Sequence, residues 1–440
     1  MLFIGFLMLI EYRLQKNFIA PFFVLLSSFF MSAFIIVLNV DNWSVNINDS
    51  FVIYIFSAIL SFGLGCKLVE RFYANHNYDL NSYNAVEATE QKLQVVFENY
   101  PVKVMLLFSL ACTLLYVYFM VSLYGGSADN VFSLLSNIYR ADKDMPSATT
   151  RVMHQMLKII IAVAQVNLFA IFASKYVSKQ KMIHKGLFIP LLCFMVCSTL
   201  STDRNIFLRF VLYAFCLWIL FYTSISNRED KSIDLMNWVI FKRAFVCIII
   251  VAIMFFGLGK VKNYQSDISR ALSIYGGSGL YNFNLYLEKF DGNKLKYGEE
   301  TFSVFLDTIS RVLFIKNERW VNQNKEFIIF TSENGYVYMS NVYSAFRPYI
   351  EDFGFFGVFI YPFLLGVFYE RLFIQTRKSK YGISWVLYSL LLYPLVFITV
   401  AEQFFKRFHM GMVYEIGWVL LLYYLLMNNK GLFNKKFVIR

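Results

Sequence analysis

Two short stretches gather side chains able to bind an anion or move a proton. One is Ser201-Thr202-Asp203-Arg204-Asn205; the other runs Asn341-Val342-Tyr343-Ser344-Ala345-Phe346-Arg347 through Glu351-Asp352 to Phe353-Gly354. A guanidinium is a planar, permanently charged fork suited to gripping phosphate or diphosphate. Arg204 and Arg347 are therefore candidate anion contacts, with Arg270 and Arg407 as further cations. A carboxylate can take a proton from a hydroxyl, and Asp352 is the first candidate base, Glu402 the second and Glu351 the third. Each has a purely structural alternative. Arg204 could tie helices together through Asp203, Asp352 or Glu402, and Asp352, immediately before an apolar span, could be its N-cap.

These residues are positioned by a chain that is mostly apolar. It is 58% hydrophobic, 19% aromatic and only 16% charged, a departure from soluble averages toward a polytopic membrane protein. A bilayer core needs about 20 apolar residues per helix. Runs near that length occur at Phe18–Leu38, Phe51–Cys66, Val102–Leu123, Leu157–Ala173 and Leu187–Leu200, and again at Ile206–Phe221, Ala244–Leu258, Gly354–Phe368, Ser384–Val400 and Gly411–Met427. The opening run Leu2–Ile10 is short and lacks the charged n-region and cleavage site of a signal peptide. It reads as a short or tilted eleventh helix. The expected class is all-α, with about 10–11 transmembrane helices.

Lys and Arg in short loops resist translocation. Alternate connections are basic: Arg13 and Lys16; Lys67, Arg71, Lys92 and Lys103; Lys175, Lys179, Lys181 and Lys185; Arg228, Lys231, Lys242 and Arg243; Arg371, Arg377, Lys378 and Lys380. The connection Asn39–Ser50 carries neither residue. The basic series is thus expected on the cytoplasmic side and the long polar stretch Lys260–Glu351 outside. The predicted organisation is N-terminal spans over 1–258, a large outer loop over 259–352, C-terminal spans over 353–427 and a basic tail over 428–440.

The same loops explain most of the net charge of +12, and no nucleic-acid-binding signature accompanies it. The six cysteines, Cys66, Cys112, Cys193, Cys197, Cys216 and Cys247, lie in or at the ends of spans, so no disulfide framework is expected in the long loop. Cys193 and Cys197 share a helix face without His or carboxylate partners and read as small buried residues rather than metal ligands. No cofactor or metal is expected, and no Gly-rich nucleotide cradle is present. His76, His154, His184 and His409 all fall outside the long loop. His409 stands out because Glu402, Lys406 and Arg407 share its short connection.

The junction Asn341–Gly357 resembles the loop-to-helix junction of bacterial O-antigen polymerases of the Wzy class. In that family an Asn-aromatic-Thr/Ser stretch, an Arg and an Asp-Phe-Gly precede a glycine-containing span. Thr202-Asp203-Arg204 is similar to the family's Thr/Ser-x-Arg turn, and Tyr275-Gly276-Gly277-Ser278-Gly279-Leu280-Tyr281-Asn282-Phe283 to another recurring stretch. Gly354 and Gly357 are expected to let helices or a lipid chain approach closely.

The resemblance implies a GT-C-like membrane glycosyltransferase. It would join oligosaccharide repeat units carried on undecaprenyl diphosphate into O-antigen or a related surface polysaccharide, at the periplasmic face of the inner membrane. The implied partners are the lipid-linked oligosaccharide and membrane lipids, with a chain-length regulator and a repeat-unit flippase. Arg204, Arg347, Arg270 and Arg407 would stabilise the departing diphosphate. Tyr281, Asn341 and Tyr343 would contact sugar, although aromatic residues in this loop could equally form a membrane-interface belt. Two alternatives remain open. An O-antigen ligase would be expected to carry a histidine in the large loop, and a flippase would place charges inside its spans rather than at the outer surface.

Overall fold

The computed structural model describes residues 1–75, 102–125, 133–135, 148–177, 185–226, 238–247, 249, 273–313, 328–331, 337–379, 381–407 and 410–427. In chain order these form α1 (Leu2–Gln15), α2 (Pro21–Leu38), α3 (Val40–Trp43), α4 (Asp49–Asn75), α5 (Val102–Tyr124), α6 (Ala148–Tyr176), α7 (Ile189–Leu200) and α8 (Arg204–Ser226). They continue as α9 (Gly279–Leu287), α10 (Ser303–Val312), β1 (Ile328–Thr331), β2 (Val337–Ser340), α11 (Phe346–Lys378), α12 (Ile383–Val396) and α13 (Met410–Met427). The chain is a helical, polytopic membrane protein. Among the described residues the strands are those of the antiparallel hairpin β1–β2, which pairs Ile328 with Ser340 and Thr331 with Val337.

Six helices among the described residues are long and apolar enough to cross a membrane: Pro21–Leu38, Asp49–Asn75, Val102–Tyr124, Val152–Tyr176, Arg204–Ser224 and Phe346–Lys378. Lys185–Leu200, Ile383–Val396 and Gly411–Leu425 are apolar but shorter. The run Leu187–Leu200 loses its first two residues to a 3-10 turn over Lys185–Phe188 and ends at Leu200 as expected, before Thr202, whose φ is +55°. The opening helix α1 has 14 residues, a rise of about 21 Å against a hydrocarbon core of about 30 Å. The expected span Ala244–Leu258 lies for the most part outside the described residues.

The chain folds as two compact units. One comprises Met1–Leu80, Ser266–Arg377 and Leu391–Met410; the other comprises Asn81–Gln265, Lys378–Leu390 and Gly411–Arg440.

In the first unit α2 packs against α1, α4 and α9. Helices α4 and α11 meet at Gly65 and Gly366, where a Cβ on either glycine would collide with a backbone carbonyl of the other helix, Phe363 or Phe62. That contact lets Ser61 Oγ donate to the Phe359 carbonyl and Cys66 Sγ to that of Gly366. Small residues at a crossing and hydroxyls bridging to backbone are how membrane helices associate when lipid offers no hydrophobic driving force. Outward, α4 leaves Ile53, Leu60, Leu64 and Leu68 exposed.

The second unit is built around α6, which is buried along most of its length. Its Met153, Leu157, Ile160, Ile161 and Ala164 pack with Cys112, Tyr116 and Met120 of α5, Phe194 and Cys197 of α7, and Ile206 and Phe207 of α8. Cys193 and Cys197 are buried free thiols, Cys197 inside this packing. Helix α5 presents the opposite pattern outward, with Leu107, Leu114, Tyr118 and Val121 exposed as an apolar stripe.

Candidate functional site

The junction after the hairpin is built on a broken helix. Residues Phe346–Asp352 form a short helical piece, the backbone then reverses at Phe353 (φ −138°) and Gly354 (φ +58°), and the long apolar part of α11 follows. The left-handed region suits glycine. Gly354 therefore serves the reversal, and its Cβ position is open apart from Leu295 at 3.8 Å. Gly357 serves close approach, because a Cβ there would collide with the Tyr349 carbonyl of the short piece. The sequence expectation gave both glycines the second role; the structure divides the two roles between them.

Helix α9 lies against the segment that enters this junction. At Gly279 a Cβ would come within 2.7 Å of the Thr399 carbonyl oxygen and 2.8 Å of that of Val400. The close fit allows Ser344 N–H to donate to the Gly279 carbonyl (2.9 Å), Ala345 N–H to that of Ile398 (2.9 Å) and Asn282 Nδ2 to that of Val342 (2.6 Å). Residues 342–345 are thus fixed from two sides, and Arg347 begins where they end.

Arg347 is buried and already neutralised. Its Nε donates to Glu351 Oε1 at 2.7 Å, and Glu351 Oε2 lies 3.6 Å from Lys296 Nζ, which in turn meets Glu300 Oε1 at 2.7 Å. Two cations and two carboxylates alternate, so the cluster carries no net charge. The guanidinium sits in a corner formed by two rings, 4.3 Å from the Tyr286 centroid and 4.0 Å from that of Tyr343, with the ring planes at 80°. These are cation–π distances. Burial pushes the Tyr286 hydroxyl well above its ordinary range, and its hydrogen bond to Glu351 adds to the rise. Burial alone would lower Lys296, but its bond to Glu300 and the charges of Glu351 and Glu300 raise it instead. Both groups therefore keep their protons at neutral pH.

The two leading carboxylate candidates are engaged by backbone. Asp352 is fully buried; its Oδ1 accepts from Glu300 N–H (3.0 Å) and its Oδ2 from Thr301 N–H (2.7 Å), while its carbonyl accepts from Tyr297 N–H (3.1 Å). It fastens the 296–301 turn to the junction, a structural role different from the N-cap of its own span. Glu402 holds a second turn: Oε1 accepts from Phe404 and Phe405 N–H at 2.9 Å each and Oε2 from Lys406 N–H at 2.7 Å. Burial raises the Glu402 carboxyl above its ordinary value, with the three amides opposing that rise. Glu402 also lines a narrow cavity with Ala345, Tyr349, Leu365, Tyr369 and Ile398, with space for on the order of one water.

The remaining expected residues separate. Tyr343 belongs to the Arg347 corner, and Asn341 is exposed just before it. Tyr281 is buried, stacked on Trp43 at 5.9 Å, with its hydroxyl against Ser44 and Asn46. Arg407 ends a 3-10 turn, and its side chain, like all of Arg270, lies outside the described residues. Arg204 belongs to the second unit as the first residue of α8, where Asp203 Oδ1 accepts from Asn205 N–H at 2.9 Å.

The second unit also holds a charged group that the motif reading passed over. Arg209 of α8 pairs with Glu415 of α13 at 3.2 Å, Gln165 Nε2 of α6 reaches Glu415 at 3.4 Å, and Tyr213 donates to the Gln165 carbonyl at 2.9 Å. Lys158, two turns before Gln165 on α6, lies 5.6 Å from the Tyr414 ring centroid. These charges sit inside apolar spans. Single charged residues within Leu157–Ala173, Ile206–Phe221 and Gly411–Met427 were the available signal.

Among known proteins, one described as an O-antigen polymerase, from Shigella dysenteriae, is 25% identical over 256 residues, covering 54% of this chain and 61% of the relative. The chain thus spans about three fifths of that relative's length. No family model matches, and neither does any solved structure.

Proposed function

We propose that this protein polymerises oligosaccharide repeat units into O-antigen or a related surface glycan, as a membrane glycosyltransferase acting on a lipid-diphosphate-linked donor. The observation that carries the reading is the Arg347 junction: a buried arginine, two tyrosines and a balanced pair of carboxylates, at the motif through which the sequence resembles O-antigen polymerases. Similarity to the Shigella dysenteriae protein supports the same reading.

In the proposed reaction a sugar hydroxyl of one unit attacks the anomeric carbon of another, whose bond to the lipid diphosphate breaks with the electron pair leaving on the diphosphate. Cations held in place before the step stabilise that developing charge. Arg347 is occupied by Glu351, so the proposed diphosphate contacts in that unit are Arg270 and Arg407. The hydroxyl proton passes to a carboxylate. Glu402 ranks ahead of Asp352 for that role, because it lines a cavity and its carboxyl is raised, whereas Asp352 is sealed between two amides. The membrane would be the bacterial inner membrane with the long loop periplasmic, and a chain-length regulator and a flippase would be partners.

Deleting the gene and resolving the cell's lipopolysaccharide or capsule on a gel tests this. A polymerase leaves a single repeat unit on the acceptor; its complete absence would point to a ligase or a flippase. Within the same assay, Glu402→Gln is expected to abolish long chains at normal protein levels, and Asp352→Asn to retain them.

A further inference from the structure

Three polar side-chain atoms around the Arg347 corner are buried and, among the described residues, make no hydrogen bond: Arg347 Nη1, Asn282 Oδ1 and Ser344 Oγ. Asn282 and Ser344 are essentially inaccessible, and Arg347 is 9% exposed. They belong to one docked layer. Asn282 is tied to Val342, Ser344 to Gly279, and Arg347 N–H donates to the Ser344 carbonyl at 3.3 Å. Buried polar atoms are normally paired, and each exception costs free energy that a ligand can return.

The chemistry of the three atoms selects among ligands. Arg347 Nη1 can only donate, Asn282 Oδ1 can only accept, and Ser344 Oγ does either. A fully ionised phosphate offers acceptors alone and would leave Asn282 Oδ1 unpaired, with Glu351 repelling it. Arg347 has also committed Nε to Glu351, so a bidentate grip through its Nε edge is not free. A sugar diol offers both halves: one hydroxyl oxygen accepts from Nη1 while a hydroxyl proton goes to Oδ1. The rings of Tyr286 and Tyr343 add apolar walls at right angles.

We infer that Arg347, Asn282 and Ser344 form a subsite for neighbouring hydroxyls of a neutral sugar residue, and not for the diphosphate. This rests on the reading that the protein handles a glycan, and it changes the role of Arg347 from the phosphate grip expected from sequence. Full-length protein in lipid nanodiscs is titrated calorimetrically with the producing cell's repeat-unit oligosaccharide, freed from its lipid by mild acid, with and without inorganic pyrophosphate. The oligosaccharide is expected to bind, pyrophosphate to leave its affinity unchanged, and Ser344→Ala and Arg347→Lys to weaken it about tenfold each, the former with an unaltered thermal midpoint. Competition by pyrophosphate on the wild-type protein, or variants that fold and bind normally, would overturn the inference, as would an oligosaccharide that does not bind. The competition arm needs no variant to fold. Long chains persisting in cells without the gene would instead defeat the polymerase reading, leaving the binding result to stand by itself.

Discussion

Two arginines of this protein, the buried Arg347 in the first unit and the half-buried Arg209 in the second, are each paired with a glutamate, yet their settings differ. Around Arg347 the charges cancel, with Lys296 and Glu300 completing an alternating set, and backbone amides of the 296–301 turn lock the group in place. Around Arg209 they do not: Lys158 and Arg209 face Glu415 alone, on three apolar helices, and Arg209 Nε and Gln165 Oε1 make no hydrogen bond among the described residues. A guanidinium's task is therefore set by what has already neutralised it. The balanced cluster is the one proposed above for neutral sugar hydroxyls, while the second carries an excess of positive charge, which is costly inside a membrane.

The largest effect should come from breaking an ion pair. Glu415→Ala leaves Arg209 without its carboxylate and is expected to cost about 3–5 kcal/mol, read as a lowered unfolding midpoint in detergent. Replacing both Arg209 and Glu415 by Met should recover most of that loss. The same double replacement at Arg347 and Glu351 should not, because Glu351 also serves Lys296 and Tyr286. Equal recovery at both places would erase the contrast drawn above.

Gly279→Ala comes next. Its methyl must displace the Thr399 and Val400 carbonyls, an overpacking cost of about 1–3 kcal/mol, and it should also weaken oligosaccharide binding by shifting Ser344. Asp352→Asn keeps one acceptor for the 296–301 turn and loses the other. A stability loss of about 1–3 kcal/mol with long glycan still made would establish the structural role; glycan lost at unchanged stability would return Asp352 to the chemistry.

The smallest effect concerns pH. Burial holds the Glu402 carboxyl above its ordinary 4.5, so ionising it disfavours the folded state. Its stabilising contribution is full below that ordinary value and is lost as pH rises through the raised titration. Glu402→Gln should flatten that part of a plot of unfolding midpoint against pH, whereas a profile unchanged from wild type would place the titration elsewhere.

Much of the architecture was legible in the apolar runs. Length and hydropathy alone place α2, α4, α5, α6, α8 and α11, because a membrane helix must satisfy its own backbone in lipid and so carries a long uniform signal. The short helices were harder. Leu187–Leu200 reads as a span by composition and ends where the sequence places it, but its opening 3-10 turn over Lys185–Phe188 was not legible. At the site, Arg347, Tyr343, Glu351 and Asp352 were visible as a motif, but Lys296 and Glu300 were not, since a lysine and a glutamate in a polar loop look like any solvated pair.

By itself the sequence determined that this is a helical membrane protein whose polar chemistry clusters after the hairpin, since hydropathy and residue type are local properties. Only the tertiary structure decided which charges cancel. The addition of Lys296 to the Arg347–Glu351 pair, the Glu300 and Thr301 amides on Asp352, and the meeting of Arg209 with Glu415 all depend on segments distant in sequence. Electrostatic role is a property of what surrounds a side chain, and folding sets those surroundings.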